Sequence, residues 1–385
     1  MNNTDVSEKR IIAGNTSFIL ALVILSLGCW NEYAWYEFFA PLGTLISFVF
    51  LGICVLCYVP FKELIRDKMF IAMAVADVLA IIHLFVIKSN KGAFLTVCDL
   101  LFVIYLFDKI RIPKKILYIL TGYIAFYFFY WTIDVKGYFK GYNTNYGGLV
   151  LITGFVFAIA GFFYIRDELV KRGKIIWARL LYIPILFMFA WGYNIISWYR
   201  ARCALLGYLV FVFLILMPAK VWKNKAFYTI LMWGTTLGSI LISLAYVWLG
   251  TFADKFTIQI FYKNIISGRE EIWSELWFSY LTRPITGIGS SYVMKVDWMG
   301  GMFEVHNGLL DILFVHGTSV FVIVLVMLLL RLKGMNGYAA RSIPQRCALA
   351  GIFAMLTSSI LENFFIVPPF LLCFLLLATL SHGAD

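Results

Sequence analysis

Runs of apolar residues close to twenty long, separated by short charged segments, recur along the whole chain and constrain its fold more tightly than any other feature. A helix needs about 20 predominantly apolar residues to cross the hydrocarbon core of a bilayer, where each backbone polar group must find its partner inside the protein. Twelve such runs are read, near 16–30, 41–59, 69–87, 93–108, 115–133, 147–165, 180–197, 202–217, 225–248, 308–330, 347–366 and 369–380. The first, fourth and last are short and suit tilted or re-entrant segments. Composition points the same way: 62% of residues are hydrophobic and 14% charged, against about 45–50% and about 25% in an ordinary soluble domain. The chain is therefore expected to be an all-α polytopic membrane protein of about 12 transmembrane helices.

Basic residues set the expected orientation. With the N-terminus inside, the cytoplasmic loops include "PFKELIRDK", "DKIRIPKK", "RDELVKRGKIIWAR", "PAKVWKNK" and "RLKGMNGYAARSIPQR", and with the N-terminus they hold about two-thirds of the 32 lysines and arginines, as the positive-inside rule requires. Both termini are then cytoplasmic. The net charge of +11 reads as this topological signal plus attraction to anionic lipid head groups, not as nucleic-acid binding. The first apolar run lacks a small-residue cleavage site, so no secretory signal is expected.

Several chemistries find no support. Cys54 and Cys57 form a C-x-x-C inside an apolar run, but no second cysteine pair or histidine cluster accompanies them, so the seven cysteines read as small packing residues and no metal is assigned. There is no Walker or Rossmann glycine pattern and no internal repeat, which argues against a nucleotide-driven pump and against cofactors.

The longest polar interval, about 249 to 306, falls on the outer face and divides the chain into spans 1–9 (1–248), an extracytoplasmic loop (249–306) and spans 10–12 (307–385). Loops longer than about 12–15 residues usually carry function. Within it "SGREEIW" offers a capping box, with Ser267 as N-cap and Glu270 at the third helical position, and apolar residues recur at Trp273, Leu276, Trp277, Tyr280 and Leu281 until Pro284. The pattern predicts an amphipathic helix lying on the membrane surface above the bundle. Arg269 opens that helix, where the macrodipole already disfavours a cation. Either Glu270 and Glu271 compensate it, or guanidinium and helix N–H groups together make a phosphate site. Gly287 and Gly289 in "PITGIGSS" permit a tight turn and close backbone approach.

Other polar residues reach the same boundary. Arg200 and Arg202, in "ISWYRARCALLGY", stand at the outer mouth of the eighth span, where such charges either snorkel or bind an anion. His306 and Asn307 lie where the loop re-enters the bilayer. Imidazole is suited to taking a proton from an attacking hydroxyl, and Asn307 either orients a sugar or the imidazole, or simply caps the tenth span. Asp77, His83 and Asp99 fall inside apolar runs and motivate a rival class, a transporter with ionisable groups at mid-membrane. His316, ten residues of helix beyond His306, is about 15 Å from it. Glu362 with Asn363 sits at another outer mouth as an alternative acid or base.

"SGREEIWSELWFSYLTRPITGIGS" followed by "VHNGLLDILFVHGTS" resembles the carboxy-terminal signature of the O-antigen ligase and Wzy-type polysaccharide polymerase family, with Arg269, Trp273, Pro284, Gly287, Gly289, His306, Asn307 and Gly317 matching in order. "RARCALLGY" is similar to that family's Ser-Arg-Gly-Ala helix start, with Arg202 at the arginine, and "GYNTNYGGLVL" is similar to its Asn-Pro-Asn loop, with Asn145 as the second Asn. Ala201, Cys203 and Thr144 replace the usual Ser, Gly and Pro, and Val320 stands where ligases show Gly, Thr or Tyr, which favours a polymerase.

The resemblance implies a GT-C-like bundle in a bacterial inner membrane, with its active site on the extracytoplasmic face. It implies an inverting, metal-independent glycosyltransferase whose donor is an undecaprenyl-diphosphate-linked oligosaccharide and which needs no cofactor. Arg202, Arg269 and, more weakly, Arg200 would hold the diphosphate. His306 would be the catalytic base, and Asn307, Trp273 and Asn145 would contact glycan. The implied partners are membrane lipid, a flippase and a chain-length regulator. A ligase would pass the glycan to a lipid A core or another acceptor, and a flippase or transporter of lipid-linked sugars would make no bond.

Overall fold

The computed structural model describes residues 8–29, 36–87, 89–134, 144–252, 259–260, 263–264, 268–301 and 303–383. The principal helices are α1 (Glu8–Cys29), α2 (Tyr36–Tyr58), α3 (Lys68–Val86), α4 (Lys91–Leu106), α5 (Lys114–Asp134), α6 (Thr144–Lys171), α7 (Tyr182–Tyr199), α8 (Arg202–Leu216), α9 (Lys225–Thr236), α10 (Gly238–Gly250), α11 (Arg269–Leu281), α12 (Gly308–Gly334), α13 (Ile343–Ser359) and α14 (Pro368–His382). A small antiparallel ladder, β1 (Gln259–Ile260) with β2 (Lys263–Asn264), precedes α11. Each of the twelve apolar runs overlaps a helix among the described residues, the ninth being broken into α9 and α10 at Leu237 and the eleventh, 347–366, outlasting α13, which ends at Ser359.

Five helices among the described residues are long and apolar enough to cross a membrane, Glu8–Leu27, Lys68–Val86, Gly147–Lys171, Ile175–Tyr199 and Gly308–Ala340, or six if α9 and α10 form one broken span. Leu42–Tyr58, Arg202–Leu216 and Pro368–His382 are apolar but shorter. Large apolar side chains such as Phe85, Phe126, Leu186 and Leu216 point outward, each more than 60% exposed, while Ser239, Ser243 and Thr236 are buried. That is the polarity of a helical protein whose surroundings are lipid.

The chain forms two compact units that do not follow the three successive stretches 1–248, 249–306 and 307–385. The first comprises Met1–Arg111, Thr236–Leu332 and Asn363–Leu375, the second Ile112–Thr235, Lys333–Glu362 and Leu376–Asp385. In the first, α1 packs on α2 through Gly14, where an added Cβ would lie 2.8 Å from the Tyr58 ring. Arg331 of α12 caps α4 by donating from Nε to the Ile104 carbonyl (3.0 Å) and from Nη2 to that of Tyr105 (2.6 Å), and pairs with Asp108. Asp67 caps α3 by accepting from the Met69 N–H at 2.9 Å, and it also accepts from the Tyr105 hydroxyl at 2.9 Å and pairs with Lys109 at 3.3 Å.

The second unit is held by small residues at helix crossings, as expected where lipid removes the hydrophobic drive between helices. At Gly207 of α8 a Cβ would meet the Ser358 hydroxyl at 2.0 Å and the Ala354 carbonyl at 2.8 Å, so α8 and α13 approach nearly to backbone contact. At Gly148 of α6 it would meet the Cβ atoms of Ala201 and Ala204 at 2.3 and 2.8 Å.

Candidate active site

In the first unit, α11 starts at Arg269 with Gly268, in the left-handed region at φ 94°, as its N-cap. Here the expectation of Ser267 as cap is corrected: only glycine takes this φ without strain, and the Gly268 N–H donates to both Glu270 carboxylate oxygens at 2.9 and 3.0 Å. Ser267 itself lies outside the described residues. Glu270 still reaches back to the cap, but from one position earlier than a capping box requires.

Arg269, Ile272, Trp273, Leu276 and Tyr280 form the buried face of α11, recurring at i, i+3, i+4, i+7 and i+11 as one side of an α-helix. Arg269 is 8% exposed, so a guanidinium is carried inward on the first residue of a helix. The Trp277 indole N–H donates to Ser243 Oγ of α10 at 3.1 Å, and the Trp277 ring meets Phe314 of α12 edge-on at 5.1 Å. Helix α11 is thus a strut braced on both α10 and α12.

Trp273 is completely buried. Its Nε1–H donates to the Val305 carbonyl at 2.8 Å, and its ring meets Tyr246 of α10 edge-on at 5.1 Å. The geometry makes Trp273 the tie that fixes residue 305, immediately before His306, and leaves no ring face open for a sugar.

His306 then adopts φ 53°, and Arg200 in the second unit φ 56°; among the described residues these are the non-glycine positions with positive φ. The left-handed conformation is unfavourable for a side-chain-bearing residue and concentrates at functional sites. It brings His306 Nδ1 to 3.2 Å from Glu304 Oε1, with the imidazole 18% exposed. Glu304 had no assigned role in the sequence, and it is the turn at His306 that brings this carboxylate, two residues earlier, to the imidazole.

Asn307 is fully buried. Its Oδ1 accepts from the Leu310 N–H at 3.1 Å and its carbonyl from the Asp311 N–H at 2.9 Å, the capping arrangement that favours Asn at helix starts. Next to it, Gly308 admits Phe365, whose ring would stand 2.7 Å from an added Cβ. Asn363, also in this unit, accepts from the Phe365 N–H at 3.0 Å, whereas the buried Glu362 belongs to the second unit.

Helix α12 is broken at Gly317 (φ 76°, ψ 174°), and "PITGIG" is laced into the break. Ile288 and Gly289 N–H groups donate to the carbonyls of Phe314 (2.7 Å) and Val315 (3.2 Å), and the Thr318 N–H donates to that of Pro284 (2.8 Å). Cβ atoms at Gly287 or Gly317 would fall 2.6 Å from Gly317 N or 2.1 Å from the Ile285 carbonyl. The close backbone approach expected of Gly287 is therefore made to α12. His83 lies 2.9 Å through Nδ1 from the His316 carbonyl. Since a carbonyl only accepts, Nδ1 carries the proton. The carbonyls at 314, 315 and 316 thereby all gain donors from outside the helix, as a helix broken at membrane depth demands.

In the second unit, Arg200 is the exposed left-handed C-cap of α7, Ala201 the N-cap of α8 and Arg202 its first residue. Ala201 has no side chain to cap with, so the departure from Ser removes the acceptor that would otherwise serve the first turn of α8. The contact of Gly148 with Ala201 and Ala204 brings the start of α6, which includes Asn145 in its first turn, to the start of α8. Each unit therefore gathers part of the expected set: Arg269, Trp273, His306 and Asn307 in the first, Asn145, Arg200 and Arg202 in the second. No family model, curated protein or solved structure matches the chain.

Proposed function

We propose that this chain is a membrane glycosyltransferase that polymerises polysaccharide from an undecaprenyl-diphosphate-linked oligosaccharide at the outer face of a bacterial cytoplasmic membrane. The observation that carries the reading is the His306–Glu304 pair, set on a left-handed residue at the head of α12 and tied in place by Trp273. With Nδ1 turned to a carboxylate, the imidazole is assigned the role of base through Nε2, the division of labour found wherever a carboxylate orients a catalytic histidine.

In the proposed reaction a sugar hydroxyl of the lipid-linked acceptor attacks the anomeric carbon of the donor. Its proton passes to His306 Nε2, the new glycosidic C–O bond forms, and the bond from the anomeric carbon to the diphosphate breaks with inversion. Undecaprenyl diphosphate leaves with the bonding pair. The charge developing on that leaving group is assigned to guanidinium groups, Arg269 in the unit that carries His306 and, from the expected set, Arg202 and Arg200. Asn145 is assigned to glycan, and Asn307 and Trp273 to holding His306 in position.

A ligase would share this chemistry and differ in its acceptor, while a transporter would break no bond. Reconstituted vesicles loaded with donor bearing a labelled glycan separate these readings. The proposal expects label to appear in lipid-linked chains of increasing length. Label on a lipid A core alone would make the protein a ligase, and label moved across the bilayer on its original lipid would make it a transporter.

A further inference from the structure

Within the second unit, α5 and α6 leave a crevice of about 320 Å³ lined by Tyr118, Gly122, Gly161, Ile165 and Leu169 and closed at one end by Arg172 and Lys174. Glycine is a poor helix former and is ordinarily kept in a membrane helix to let a neighbour come close. Gly122 does not serve that purpose, because an added Cβ there would meet nothing within 4 Å, and at Gly161 it would meet only Thr121 Cγ2 at 3.5 Å. Both glycines keep open a slot that α5 and α6 could otherwise fill. From Lys114 at the mouth to Gly122 the slot follows α5 for about 12 Å, at 1.5 Å per residue.

The mouth is cationic. Glu168 pairs with Lys114 at 3.3 Å and with Arg172 at 3.4 Å, and Lys174 joins them, so three cations stand against one carboxylate. Gly173, at φ 72°, turns the chain after α6 and returns Lys174 to this rim. The α5 N-terminus and the α6 C-terminus meet at this mouth with opposite dipole ends, so the positive excess comes from the side chains. Apolar walls below and an excess of two positive charges above complement one class of molecule, a lipid whose head group is an anion.

We propose that this crevice binds an anionic glycerophospholipid of the bilayer, one acyl chain lying along Gly122 and Gly161 and the phosphate held by Arg172, Lys174 and Lys114. The basic segment "RDELVKRGKIIWAR" is read as cytoplasmic, the leaflet in which anionic lipid gives the negative surface potential. The site is separate from the residues assigned to glycan transfer, so its test stands apart from theirs.

The full-length protein in a neutral detergent, titrated with dispersed phosphatidylglycerol or phosphatidylcholine and read by native mass spectrometry, tests the assignment. Wild type should retain phosphatidylglycerol over phosphatidylcholine, R172Q and K174Q should each weaken phosphatidylglycerol about fivefold, and Gly122→Leu should abolish retention of either lipid here. Equal binding of the two lipids, unchanged binding by the R172Q/K174Q pair, or displacement of phosphatidylglycerol by undecaprenyl phosphate would overturn it. The R172Q/K174Q pair changes two rim side chains and costs one exposed ion pair, Arg172 with Glu168, and it keeps the result decisive even where Gly122→Leu folds poorly.

Discussion

His306 stands two residues ahead of α12 in a conformation that disfavours any side chain by about 1–2 kcal/mol, and its neighbours are arranged to hold it there. Strain and chemistry can be separated by substitution. His306→Gly removes the base and relieves the backbone, whereas His306→Ala removes the base alone. Thermal unfolding in detergent should find His306→Gly the more stable by about 1 kcal/mol, with transfer slowed alike in both; a glycine variant no more stable than the alanine variant would deny the strain. Glu304→Gln keeps the shape and discharges the partner of Nδ1, which lies 3.2 Å away. Turnover should drop about tenfold, equivalent to ~1.4 kcal/mol of transition-state stabilisation. Trp273→Phe keeps the aromatic packing but leaves the Val305 carbonyl without its donor, and should lower stability by about 1–3 kcal/mol.

At the scale of elements, the interleaving of "PITGIG" with the break in α12 is the device that fixes α11 against α12. Gly317→Ala would place a methyl 2.1 Å from the Ile285 carbonyl on a backbone at φ 76°. A loss of about 3 kcal/mol or more of stability is expected, read as loss of monodisperse protein on size exclusion; a well-folded Gly317→Ala would mean the break is not required. The Asp67 cap gives a pH signature. Burial raises the Asp67 carboxyl, but the Tyr105 hydroxyl, Lys109 and the Met69 N–H together hold it below its ordinary value. Its folded value lies below its unfolded one, so this cap contributes fully above about pH 4 and loses its contribution as pH falls further. Asp67→Asn should flatten that acid limb of a thermal-unfolding profile.

Continuous hydrophobicity located the long helices among the described residues because a helix facing lipid needs an unbroken apolar run, which the residues display directly. It did not locate the breaks. Leu237 and Gly317 both sit inside unbroken apolar runs, and a glycine there reads equally as a packing residue or a hinge until its contacts are known. The candidate site was legible where a residue type is out of place for its surroundings, which is what singled out Arg269, Arg202 and His306 as proposed site residues. It was not legible where a polar or aromatic side chain serves the fold: Asn307 caps a helix and Trp273 ties a loop, and neither role leaves a mark distinct from glycan binding. Glu304 was missed because a carboxylate in an outer loop is ordinary, and only the turn at His306 gives it a partner.

For the molecule as a whole, the expected topology places the basic loops inside and residues 249–306 outside. A membrane-impermeant maleimide should label Lys295→Cys in intact cells and Lys223→Cys only after permeabilisation, in a background without the seven native cysteines; the reverse pattern would invert the orientation. The central proposal is that His306 is the base in glycan transfer from a lipid diphosphate donor. Its most direct test is single-turnover transfer of labelled glycan by purified wild type and His306→Ala, with donor binding measured in parallel. The account predicts that His306→Ala binds donor normally and transfers about 10²–10⁴-fold more slowly, whereas transfer at a near wild-type rate would contradict it.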